Sequence, residues 1–157
     1  MSILLNDKEI QGLIDEPKVL PPNYQDHASL KPKRGHKETD FDVQGENGSK
    51  FKIIMRLSSS DPFDFSAILA YFVPKTNVLF RLRRYNGKSH EHTNKIEAET
   101  FYGFHIHQAT ERYQQSGLRE DEYAIPTNKY GDLQGALQCM LSECNFKTPP
   151  NTQISFF

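Results

Sequence analysis

The chain has 157 residues, 36% of them hydrophobic, and 19 Lys and Arg against 20 Asp and Glu give a net charge of −1. That length fits a single domain (1–157) around one core, and the clustering of apolar residues into periodic segments excludes wholesale disorder. A near-zero charge excludes a global field that would draw the chain onto nucleic acid or an anionic membrane, so any basic site must be local.

Two cysteines, Cys139 and Cys144, lie five apart in a helical pattern. Their side chains diverge, which fits reduced thiols in a reducing compartment. Met1 opens no basic–apolar–small leader pattern, and the longest apolar run, Ala67 to Val73, is far too short to span a bilayer. The expectation is a cytoplasmic protein with no membrane partner.

The first element is a helix. Asn6 caps it, Glu9 completes a capping box, and Leu5 staples onto Ile10. Ile10, Leu13 and Ile14 form its apolar stripe, and Pro17 ends it. Residues 17–36 are proline-rich and polar, basic near Lys31 to Arg34, and predict an extended loop. Strands follow. Phe41 and Val43 alternate with polar residues, Glu46-Asn47-Gly48 supplies turn chemistry, and Phe51, Ile53, Met55 and Leu57 mark the return.

Phe65 to Val73 is apolar on both faces, the pattern of a central strand. After a turn at Pro74 to Asn77, Val78, Phe80 and Leu82 are expected on one face, with Leu79, Arg81, Arg83 and Tyr85 on the other. A polar loop from Asn86 to about Glu97 leads to a strand from Phe101 to His107, with Tyr102, Phe104 and Ile106 facing the core. A short helix over Gln108 to Ser116 stops at Gly117. A charged loop, with Glu120, Asp121 and Glu122 solvated, runs as far as Tyr130. Asp132 then caps a last helix whose stripe is Leu133, Ala136, Leu137, Met140, Leu141 and Cys144. The tail, 147–157, leaves Phe156 and Phe157 as docking residues or loose ends. The order predicts an α+β fold: an antiparallel β-meander of about five strands, with an N-terminal helix and a C-terminal helix packed on one face.

Four histidines carry the chemical interest. His90 and His92 flank Glu91 in a loop, while His105 and His107 share one face of a strand. If that strand neighbours Val78 to Tyr85, Arg81 and Arg83 join them, and Arg112 and Tyr113 close the rim. A polar sheet face that merely collects polar side chains is the plain alternative. Two chemistries fit the residue types. The pairs supply three or four imidazoles to zinc, iron or copper. Alternatively, histidine, tyrosine and arginine cleave RNA through the ribose 2′-hydroxyl without a cofactor, since the reaction needs a base, an acid and cations around the phosphorane.

Two resemblances bear on the choice. His90-x-His92 followed by Glu97 is similar to the His-x-His-x4-Glu core of the first cupin motif, with the upstream glycine displaced to Gly87 and no second motif. The stretch from Arg84 and Tyr85 through Gly87, Lys88, His90 and His92 resembles the Arg-Tyr-Asp-Asn…Gly-Lys…His-x-His block of TumE-like toxins, the toxin halves of bacterial toxin–antitoxin pairs. Tyr102-Gly103-Phe104 and the helix after Asp132 follow the same order, and the second half of the chain also resembles an uncharacterised bacterial protein family. This chain keeps one residue of the Asp-Asn pair, inserts Gly117 to Gly131, and adds an N-terminal arm. The toxin resemblance implies possible functional positions at Arg84, Tyr85, Lys88, His90 and His92, and a toxin-like partner.

The leading expectation is therefore a small toxin-like protein acting on RNA as a metal-independent endoribonuclease, with no cofactor. His90, His92, His105, His107 and Tyr113 are the proton-transfer candidates, and Arg81, Arg83, Arg84, Lys88 and Arg112 the phosphate holders. Its partners would be RNA and a protein antitoxin or host factor. One alternative is a non-enzymatic binding module of a mobile element or phage-defence system. The other is a metalloprotein using His90, His92, His105 and His107.

Overall fold

The computed structural model describes residues 3–147. In chain order its elements are α1 (Asp7–Asp15), β1 (Lys18–Val19), α2 (Tyr24–His27), β2 (Lys31–Pro32), β3 (His36–Gly45), β4 (Lys50–Ser58), β5 (Phe65–Phe72) and β6 (Leu79–Asn86). There follow β7 (His92–Asn94), β8 (Glu99–Phe101), β9 (His105–Gln108), α3 (Glu111–Gln115), β10 (Ala124–Pro126), α4 (Leu133–Glu143) and β11 (Phe146–Lys147).

The fold is α+β and mostly sheet, but it exceeds a five-strand meander. Among the described residues one sheet runs β10-β9-β6-β5-β4-β3-β1-β11, a curled half-barrel, with β2 added beside β3. From β3 to β10 every neighbouring pair along this path is antiparallel; β11 joins β1 in parallel at the far edge. The hairpin β7–β8 is an excursion between β6 and β9, paired only with itself. Strands of two or three residues carry no readable period, which is why β1, β10 and β11 were invisible in the sequence. The expected loop over 17–36 likewise contains β1, α2 and β2. Phe156 and Phe157 lie outside the described residues.

Local chemistry explains the elements that the sequence did disclose. Asn6 and Glu9 form both halves of the capping box, and Leu5 and Ile10 are buried beside them. Phe41 and Val43 pair across the ladder with Ile53 and Phe51 in one core that also holds Leu69, Leu82 and Met140. Helix α4 packs across β5 and β6, with Asp132 as its N-cap. Cys139 and Cys144 are free thiols. No helix among the described residues is long and apolar enough to cross a membrane.

One irregularity matters for function. The β5–β6 register slips between Leu69 and Ala70, so Leu69 faces Arg83 while Ala70 faces Arg81 and Leu82 is the extra residue. A bulge of this kind re-aims the residues that follow it. Beyond it Arg83 and Tyr85 turn to α4, where both bond Glu143. Arg84 and Asn86 point to the opposite face. The expected grouping of Arg81, Arg83 and Tyr85 on one solvent face is thus corrected, because Tyr85 is fully buried in the core.

Candidate functional site

The uncovered face of β6 and β9 carries the site. Register pairs Arg84 with His107 and Asn86 with His105, so these four side chains rise together. The hairpin then brings in a third imidazole. At the end of β6 the chain doubles back at Gly87, where any Cβ would collide with the Phe63 carbonyl; Gly87 and Lys88 donate to the carbonyls of Phe65 and Phe63. That close crossing returns the chain over the sheet. The His92 ring lies 4.8 Å from His107 and 5.4 Å from His105, centre to centre, and His105 and His107 are 4.9 Å apart. One ring nitrogen from each of the three lies within 4.8 Å of the others.

Hydrogen bonds fix the tautomer of every ring. His105 Nδ1 meets the Gly103 carbonyl at 2.9 Å and His107 Nδ1 meets the Asp121 carbonyl at 2.8 Å. A carbonyl only accepts, so both Nδ1 atoms carry hydrogen and both Nε2 atoms keep a lone pair. His92 Nε2 meets Asn94 Oδ1 at 2.8 Å, and the same oxygen accepts from the Ala124 N–H. Oδ1 is thereby identified as oxygen and His92 Nε2 must donate, so in the neutral tautomer the lone pair is on Nδ1. Burial pulls the His105 imidazole below its usual range; burial, aided by Arg84, pulls His107 down to about 2. Both rings are neutral at pH 7.

Supporting residues explain how the hairpin is held. Asn94, 2% exposed, also donates to the Ala124 carbonyl at 2.8 Å, clamping β7 onto the sheet edge. At the hairpin tip Glu97 accepts from Tyr113 Oη and Arg112, and the Ile96 N–H donates to Tyr113 Oη. Burial and the Glu97 carboxylate push the Tyr113 phenol up to about 12. Beneath the rings, Asp121 is fully buried, with Oδ2 accepting from Arg84 Nε at 3.2 Å and Oδ1 lying 3.3 Å from Arg119 Nη2.

The anticipated site residues are therefore divided. His92, His105, His107 and Arg84 come together. His90 lines the same cleft, bonded to Ser89, but stands outside the three-ring cluster. Tyr113 and Arg112 do not rim the cleft; they hold the hairpin through Glu97. Glu97, the cupin-like carboxylate, is spent on that contact. Arg83 lies on the α4 face, and the Arg81 N–H donates to Glu120. Lys88 sits over the rings of Phe63 and Phe104. The acidic loop is not solvated as expected, since Asp121 is buried and Glu122 pairs with Lys95. Asn94 and Asp121 were missed in the sequence because the partners that bury them, Ala124 and Arg84, are 30 and 37 residues away.

The cluster opens into a cleft of about 350 Å³ that adjoins a second of about 180 Å³. Arg84, Asn86, His90 and His105 line both. A larger cleft of about 570 Å³ beside Tyr71 and Lys75 has no histidine in its lining.

Fold and site together define a curled-sheet α+β protein with three oriented imidazoles at the base of an open cleft. No protein family, curated protein or solved structure matches the chain.

Proposed function

We propose that the chain is a transition-metal protein whose centre is formed by His92, His105 and His107, with zinc as the best-fitting ion. One observation carries this reading: each ring is locked by an obligatory acceptor into the tautomer that leaves one lone pair free. Metal-bound histidines are held in this way, their second nitrogen donating to a carbonyl or amide oxygen. Imidazole suits zinc, copper, iron and nickel, and three such ligands leave tetrahedral zinc an open position for water or substrate. Tetrahedral zinc holds its nitrogens roughly 3.3 Å apart, and one nitrogen of each ring already lies within 4.8 Å of the other two. An ion there would polarise a bound carbonyl or phosphoryl oxygen, or lower the pKa of its water.

The test is stoichiometry. Purified protein is loaded with excess Zn²⁺, desalted and assayed for metal by elemental analysis. Wild type should retain one equivalent and His105→Ala/His107→Ala less than a tenth of that. Wild type far below one equivalent, or equal retention by the variant, refutes the centre.

Metal-independent RNA cleavage by a toxin-like protein is the second reading, favoured by the basic rim of Arg84, His90 and Lys95 around the same rings. Labelled RNA in excess EDTA separates the two. Cleavage there that is lost in His105→Ala/His107→Ala supports the RNA reading, and no cleavage removes it.

A further inference from the structure

One cation in the cleft is fixed in place yet not used up by its partner. Arg84 rises beside His107 on the imidazole face, and its Nε–H is spent on Asp121 Oδ2. Neither terminal amino group hydrogen-bonds to any described residue. The side chain is 19% exposed, so this free edge of the guanidinium reaches the cleft. The other ionic groups at the rim are mostly paired with one another: Arg56 with Asp64, and Lys95 with Glu122. Glu91 is exposed and carries no ion pair among the described residues.

A guanidinium beside a divalent cation repels it, and Asp121 offsets only the charge, not the unmatched N–H donors. The arrangement is balanced by an anion that meets both. Guanidinium presents paired donors at the spacing of carboxylate and phosphate oxygens. Resting on the three-histidine reading, we infer that the cleft binds a small molecule through a carboxylate or phosphate group spanning the metal's open position and the free edge of Arg84. A cationic ligand would be repelled there, and a neutral one with a single acceptor oxygen would meet only part of that edge.

The experiment uses Co²⁺ in place of zinc, because its visible bands report the fourth ligand. Co²⁺-loaded wild type and Arg84→Lys are titrated with acetate, inorganic phosphate and neutral acetamide. Acetate or phosphate should shift the wild-type bands while acetamide does not, and the tighter anion names the chemical class. Arg84→Lys should load Co²⁺ with an unchanged spectrum but require roughly tenfold more anion, the effect of losing one charge-assisted hydrogen bond. Identical anion titrations of the two proteins, or no anion-dependent shift, overturn the inference while leaving the metal centre standing. No cobalt spectrum in wild type overturns the metal centre and this inference with it. If Arg84→Lys does not fold, the wild-type contrast between the anions and acetamide decides.

Discussion

Asn94 joins the stability of the fold to the geometry of the site, and Asn94→Ala perturbs both at once. Ala124 lies on the edge strand β10, and its N–H and C=O bond to the Asn94 amide at 2.9 and 2.8 Å, as an added strand would bond them. Asn94 and Ala124 are 2% and 1% exposed, so truncation strands both backbone groups away from water. Each orphaned group costs about 1–3 kcal/mol, and the pair about 3–4 kcal/mol if no water enters. His92 also loses the acceptor that fixes its tautomer, and removal of such an outer partner weakens metal binding about 10- to 100-fold. Urea unfolding in EDTA reads the first effect, and Zn²⁺ titration against a chelator of known affinity reads the second. Asn94→Asp separates them. It keeps the acceptor for His92 and for the Ala124 N–H but sets an oxygen against the Ala124 carbonyl. It should therefore lose about 2 kcal/mol of stability and hold zinc within about threefold of wild type. Unchanged zinc affinity in Asn94→Ala would show that the amide does not orient His92, and the argument from locked tautomers would fail with it.

Lys18 is fully buried and donates to the carbonyls of Ile14, Glu16 and Cys144 at the ends of α1 and α4, so Lys18→Met should cost about 2–4 kcal/mol at pH 7 in urea unfolding. Burial lowers its pKa from 10.5 to about 8, so between those values the unfolded chain binds more protons and wild-type stability rises with pH; the gap to Lys18→Met must widen from pH 8 to 10.5, and a narrowing gap refutes the placement. Asp121→Asn removes the buried charge that pairs with Arg84 and should destabilise by about 3 kcal/mol. Arg84→Met/Asp121→Asn should recover part of that loss in the same assay, and simple additivity would show that the pair does not interact.

Much of this was legible because it is local. The Asn6 capping box, the alternation of Phe51, Ile53 and Met55, the α4 stripe and the shared face of His105 and His107 all follow from neighbours within a turn or a strand. The site reading assumed that both loop histidines lie over the strand pair; the distances bring His92 there and leave His90 outside the cluster. Strand period did not select Arg84, which entered the sequence reading only through the toxin resemblance. Counting by twos from Phe80 puts Arg81 and Arg83 together, and only the slip opposite Leu69 and Ala70 hands the site to Arg84. Asp121 reads as one of three solvated acids until a strand 37 residues earlier supplies its guanidinium. Lys18 falls in the stretch expected to be an extended loop, and two helix ends converge on it. In each case the deciding partner is remote, and periodicity carries no information about it.

The two faces of β6 differ in a way that supports reading the imidazole cluster as a ligand set rather than a polar packing cluster. On the α4 face the polar groups are spent on one another: the Tyr85 hydroxyl donates to Glu143 at 2.7 Å, Lys129 donates to the same carboxylate at 2.6 Å, and Arg83 contacts both Tyr85 and Glu143. Such a cluster joins strand to helix and has little left to offer a ligand. On the other face the ring N–H donors that the hydrogen bonds fix are spent on the protein. Each ring gives its hydrogen to the protein and turns an unshared pair to its surroundings, and Arg84 keeps a free donor edge beside them. The same strand thus joins polar groups to one another on one side, with Arg83 Nε left over, and presents its imidazoles and the free edge of Arg84 to the cleft on the other.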